Sequence, residues 1–144
     1  MVTVKYLEKV TNMDCLIVED NPASNLILAK MMSQYGSVDA VDNGTEAINR
    51  FRLAHEAGRP YDLILMDIKL PESNGLLCVA TIREFEANRN ISLLNRVKII
   101  MTTALDDPRT VMKALYESDA NSYLVKPIRL QKLEDELRAL KLIY

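Results

Sequence analysis

Four short apolar runs constrain the fold of this chain more than any other feature: CLIV at 15–18, LILM at 63–66, VKIIM at 97–101 and YLV at 123–125. They are near-continuous rather than alternating, the pattern of strands covered by protein on both faces, as in a parallel sheet flanked by helices. SVDAV at 37–41 is a weaker fifth candidate.

The stretches between the runs carry helical punctuation. Asn21-Pro22 offers an N-cap followed by proline at the first helical position, Ile27, Leu28, Met31 and Met32 follow, and Gly36 is placed to close that helix. A second helix starts near Asn43-Gly44-Thr45, carries Ala47, Ile48, Phe51 and Ala54 on one face, and ends at Gly58 and Pro60. Leu76, Val79, Ala80 and Ile82 to Phe85 predict a third after the turn-like PESNG. Asp107-Pro108 caps a fourth (α4), with Val111, Met112 and Leu115 inward. Leu130, Leu133, Leu137 and Leu140 form the seam of a fifth (α5). Strands, numbered β1–β5 in chain order, thus alternate strictly with helices, which predicts an α/β domain: a parallel five-stranded sheet with right-handed crossovers and helices on both faces. Residues 1–12 form a short N-terminal extension, either frayed or briefly helical through Val4, Tyr6, Leu7 and Val10, and 13–143 form the domain.

At 144 residues, 49% hydrophobic and 26% charged, the chain suits one domain whose core needs no disulfide or structural metal. Cys15 and Cys78 lie in apolar contexts without metal spacing and read as buried, reduced thiols. A net charge of −2, with cations scattered rather than striped, gives no footprint for nucleic acid binding by this chain alone. No apolar run approaches a membrane span and the N-terminus lacks the pattern of a signal peptide, so a cytoplasmic location is expected.

In such a sheet, ligands bind beyond the carboxyl ends of the strands. Glu19-Asp20 follows β1, Asp67 follows LILM, Thr102-Thr103 follows β4 and Lys126-Pro127 follows β5. Each has an ordinary reading: a helix cap, a turn, a strand-end hydroxyl, a solvated cation. Their convergence on one edge is harder to explain that way. Three carboxylates at one edge repel one another, and a hard divalent cation such as Mg²⁺, with its preference for carboxylate, water and phosphate oxygens, answers that repulsion. Asp67 can then act as a nucleophile toward a phosphoryl group, while Lys126 and the Thr103 hydroxyl supply a point charge and a donor for the phosphoryl oxygens.

The segments LIVEDN (16–21), DLILMDIKLPESNG (62–75), IIMTTA (99–104) and YLVKPI (123–128) resemble, in order and spacing, a response-regulator receiver domain of two-component signalling, over about residues 12–143. The resemblance implies a flavodoxin-like doubly wound (βα)5 fold with strand order 2-1-3-4-5. It makes Asp67 the phosphoacceptor, Asp20 a direct Mg²⁺ ligand, Glu19 a ligand through water, and the Lys69 backbone carbonyl the remaining protein ligand. Lys126 would pair with the phosphoryl group, ahead of a Lys-Pro bond that is often cis. Thr103 would be the switch hydroxyl, Tyr123 its aromatic partner, and the α4-β5-α5 face the output surface. Lys69 and Leu105 occupy the positions that tune dephosphorylation; a long cation at Lys69 crowds the path of attacking water and implies slow self-dephosphorylation.

The implied partners are a histidine kinase or histidine phosphotransfer protein and a downstream protein target, with a phosphorylation-dependent homodimer as a further possibility. Leu142 and Ile143 fall outside the α5 seam and are candidates for such a contact. The leading reading is a switch without an output domain in this chain; the alternatives are a phosphorelay intermediate and the excised receiver of a longer regulator. A small-molecule phosphohydrolase is disfavoured because Lys69 stands where its second Asp would be, and a flavin or nucleotide binder because no Gly-rich loop follows β1. A phosphate-independent, degenerate receiver is disfavoured because the set is complete. His55 reads as a surface residue without a catalytic companion.

Overall fold

A computed structural model describes residues 12–104 and 108–144. One sheet holds β1 (Met13–Val18), β2 (Gly36–Val41), β3 (Leu63–Asp67), β4 (Lys98–Thr103) and β5 (Ser122–Val125), all parallel, in the order 2-1-3-4-5. Between and after them run α1 (Pro22–Ser33), α2 (Gly44–Glu56), α3 (Gly75–Asn88), α4 (Pro108–Ser118) and α5 (Leu130–Ala139). This is the flavodoxin-like, doubly wound fold. Its order reverses between β1 and β3, so the crevice for a ligand opens past their carboxyl ends. The first three helices start on asparagine caps: the Asn21, Asn43 and Asn74 side chains accept from the backbone N–H of Ser24, Glu46 and Leu77.

Alternation along the strands divides the core in two. Leu16, Val18, Ile64, Met66, Ile99 and Met101 pack with Phe51 of α2 and Val79 and Ile82 of α3, and Leu115 of α4 joins them. Cys15, Ile17, Leu63, Leu65 and Ile100 pack with Leu28 and Met32 of α1 and Leu133 and Leu137 of α5. Both faces of the central strands are therefore dry, which explains the unbroken apolar runs.

Several details depart from the sequence reading. Gly36 does not close α1, which ends at Ser33; it opens β2, where a Cβ would stand 2.1 Å from the Met13 carbonyl oxygen. Met112 is exposed, while Val111 of the same helix is buried and Leu115 packs on the core. Ile27 is also exposed, as is its neighbour Leu26. Ile143 is buried in the α1/α5 core with Leu142 packed beside it, so these two residues finish the fold rather than offer a contact surface. His55 is half-buried, its ring 4.8 Å from Phe51 and 5.3 Å from Phe85 between α2 and α3. The PESNG segment folds back on the residues before it in a two-residue antiparallel ladder, Lys69–Leu70 against Ser73–Asn74, turning through Glu72 at φ 59°. A short 3-10 turn spans Leu93–Asn95. Residues 1–11, Leu105 and the Asp107 cap lie outside the described residues.

Candidate functional site

The predicted site residues that are described sit at the carboxyl edge of the sheet, except Tyr123, the second residue of β5, which pairs with Met101 two residues before Thr103. The ladder continues one residue past three strands: Glu19 N donates to Val41 O at 3.1 Å, Ile68 N to Thr102 O at 3.1 Å and Lys126 N to Thr103 O at 2.7 Å. These bonds place the polar residues on rigid backbone. Glu19, Asp67 and Lys126 continue the alternation of Ile17, Leu65 and Leu124, the α1/α5 side of the sheet. Thr103 continues that of Ile99 and Met101, and the half-buried Tyr123 packs against the same opposite core.

On the first side the charges meet. The Lys126 ammonium donates to Asp67 Oδ2 at 2.8 Å and also to Glu19 Oε1. Asp67 Oδ1 accepts from Lys69 N at 3.1 Å, and Glu19 Oε2 from Asn21 N at 3.1 Å. Glu19 and Asp67 are buried while Asp20 is exposed, and one oxygen from each of the three lies within 4.8 Å of the others. Burial works against the charged form of Lys126, but its hydrogen bonds to Asp67 and Glu19 and their negative charges outweigh it, raising the pKa above the ordinary lysine value. Three carboxylates facing one ammonium leave two negative charges. An all-oxygen donor set with that excess and an open, solvated flank at Asp20 fits a hard divalent cation that keeps several waters. The Lys126-Pro127 peptide is cis.

The short loop after Asp67 is closed by Gly75, whose N–H donates to Ile68 O at 2.7 Å. A Cβ on Gly75 would stand 2.1 Å from the Asp67 carbonyl oxygen. Sequence reading passed over this residue; the signal was the Asn74-Gly75 step, an N-cap followed by a residue without a side chain just where the helix crosses the strand end. The Lys69 side chain is exposed, and Leu105 lies outside the described residues. Beside Lys126 a cleft of about 100 Å³ is lined by Glu19, Ser24, Ile27, Leu28, Pro127 and Ile128. Among the described residues no helix is long and apolar enough to cross a membrane.

Comparison with known proteins gives the family of the chain. The family model for the response regulator receiver domain matches residues 15–138. The sensor histidine kinase GacS of Pseudomonas protegens is 33% identical over 119 residues, which cover 82% of this chain and 12% of that protein. The autoinducer 2 sensor kinase/phosphatase LuxQ of Vibrio vulnificus is 34% identical over 130 residues, 90% of this chain and 14% of that one. The chain thus spans only a small fraction of these curated relatives. Among solved structures, the co-crystal of the Saccharomyces cerevisiae histidine phosphotransfer protein Ypd1 with the receiver domain of Ssk1 contains a chain that aligns with a TM-score of 0.76. That alignment has 28% identity and covers 88% of this chain and 87% of that one.

Proposed function

Because the chain belongs to the response-regulator receiver family of two-component signalling, we propose that it is a phosphorylation-controlled switch that accepts a phosphoryl group on Asp67. The observation that carries the reading is the Lys126 ammonium 2.8 Å from Asp67 Oδ2, beside three acidic residues whose oxygens lie within 4.8 Å of one another. Asp67 ends β3 on rigid backbone, so its carboxylate is presented to a donor with little freedom to lose. An Asp67 oxygen attacks phosphorus, the bond from phosphorus to the donor's imidazole nitrogen breaks, and the imidazole leaves. Asp20, Asp67, the Lys69 carbonyl and, through water, Glu19 would hold a Mg²⁺ ion, which would screen the carboxylate from the incoming phosphoryl oxygens. Lys126 then neutralises the phosphoryl group, and the Thr103 hydroxyl turns toward it as Tyr123 moves inward. In this reading the domain spans 13–143 and the output surface is α4-β5-α5, where Met112, Tyr116 and Val125 are exposed. The donor, a histidine kinase or phosphotransfer protein, meets the rim of the site, where Leu26 and Ile27 are exposed.

Intact mass after incubation with acetyl phosphate and Mg²⁺ tests this. The expected result is one phosphoryl adduct that disappears without Mg²⁺ and in Asp67→Asn. Absence of an adduct in the unaltered chain, with beryllofluoride also failing to bind, overturns it.

A second reading, a phosphorelay intermediate, is favoured by the similarity to the two sensor kinases described above. The Ypd1–Ssk1 complex supports a phosphotransfer protein as the partner of such a domain. Radiolabel leaving Asp67 for a histidine on a phosphotransfer protein, rather than for water, selects this reading over the first.

A further inference from the structure

Asn25 stands one turn into α1, half-buried, and its side chain bonds two strand-end carbonyls at once. Its Nδ2 donates to Glu19 O at 3.0 Å and to Val41 O at 3.2 Å. These carbonyls belong to the carboxyl ends of two neighbouring strands. Val41 O already accepts from Glu19 N in the last rung of the ladder, so the Asn25 amide stands where the next rung's donor would be if β2 did not turn away. A primary amide has two hydrogens on one nitrogen, and both are used. The backbone N–H of Asn25 donates to Asn21 O at 2.9 Å. One residue therefore holds both ends of the corner Glu19-Asp20-Asn21. The remaining tie within the corner, Asn21 N to Glu19 Oε2, is made by the carboxylate itself, and a bound cation would compete for that oxygen.

We infer that Asn25 is a positioning residue for the cation: it fixes the peptide between Glu19 and Asp20 so that their carboxylates converge with Asp67 against their mutual repulsion. The inference rests on the Mg²⁺ reading of the site given above. Aspartate at this position would set oxygen against two carbonyl oxygens, and leucine would leave both without the donor.

Isothermal titration of Mg²⁺ into the full chain tests it, using Asn25→Ala and, on the opposite face, Ile82→Val as a variant that loosens the core without approaching the corner. Two neutral hydrogen bonds are lost in Asn25→Ala, and the expected weakening of Mg²⁺ binding is about five- to tenfold, while Ile82→Val stays within about twofold of the unaltered chain. Phosphorylation by acetyl phosphate in Asn25→Ala should recover at saturating Mg²⁺. Asn25→Ser, which keeps one donor on a shorter stem, replaces Asn25→Ala if that variant does not fold, and should weaken binding in the same direction. Unchanged Mg²⁺ affinity in the Asn25 variants, or equal weakening in Ile82→Val, overturns the positioning role. An unaltered chain that does not bind Mg²⁺ overturns the underlying reading of the site and the inference with it.

Discussion

Arg83 and Glu86, one turn apart on α3, form the most deeply buried ion pair among the described residues, with side chains 11% and 0% exposed. Glu86 Oε1 accepts from Arg83 Nη1 at 2.7 Å and Oε2 from Val97 N at 2.8 Å. Arg83 also donates to the carbonyls of Val97 and Asp119 and to Asn121 Oδ1. The pair thus clamps α3 to the chain entering β4 and β5. Replacing arginine in Arg83→Met leaves a fully buried carboxylate with a single backbone donor, and breaking a buried pair in this way costs about 3–5 kcal/mol. With a urea m-value of about 2 kcal/mol/M, the midpoint should fall by roughly 1.5–2.5 M. The double variant Arg83→Met/Glu86→Met removes the stranded charge and should regain most of that loss, leaving about 1–2 kcal/mol for the backbone groups that lose partners. The chain has no tryptophan, so unfolding is followed by far-ultraviolet circular dichroism. The reasoning fails if Arg83→Met costs less than about 1 kcal/mol, or if the double variant is less stable than the single one.

Gly75→Ala should destabilise the domain by about 1–3 kcal/mol, since its Cβ meets the Asp67 carbonyl and backbone yields poorly, and should slow phosphorylation by acetyl phosphate; a variant with unaltered midpoint and rate would refute the close contact. Burial, with the Arg89 charge adding to it and Glu86 opposing, holds His55 below the ordinary imidazole pKa of 6.5. The unfolded chain then takes up this proton first as pH falls, so the contribution is full above about pH 6.5 and is lost below it. The urea midpoint should drop less between pH 7.5 and 5.5 in His55→Leu than in the unaltered chain, and equal drops would sink the assignment. The phosphorylated protein should lose its phosphoryl group over minutes or longer, and faster in Lys69→Ala; decay within seconds in the unaltered chain contradicts a role for Lys69 in shielding the bond.

Much of the architecture was legible because burial on both faces writes itself into a strand as an unbroken run, and because polar residues ending such runs have few reasons to be there. Asp67 and Lys126, 59 positions apart, could be assigned to one edge without knowing their distance. Helix faces were less legible. Met112 and Ile27 have the composition of core residues, and only the angle at which each helix meets the sheet leaves them outside. Ile143 was misread for the opposite reason: it follows the end of α5, where periodicity stops and a turn through Lys141 at φ 60° returns the chain to the core. Asn25 and the Arg83–Glu86 clamp were invisible because polar residues on a helix ordinarily face water. Many of their partners are backbone carbonyls and N–H groups, which a sequence does not display.

The parity of the strands has one more implication. Glu19, Asp67 and Lys126 lie above one core, Thr103 and Tyr123 above the other, and these two layers share no side chains. The Lys126 N–H bonded to Thr103 O rivets a residue of one layer to a residue of the other through their backbones. In the proposed switch, a phosphoryl group on Asp67 in the first layer would reach Thr103 and Tyr123 in the second across this edge of the sheet, not through either core. Substitutions in the core beneath α1 and α5 can accumulate without touching the core packed behind Tyr123, and the reverse also holds. A domain partitioned in this manner can be repacked one half at a time, by evolution or by an engineer grafting a foreign α1 onto an unaltered second core.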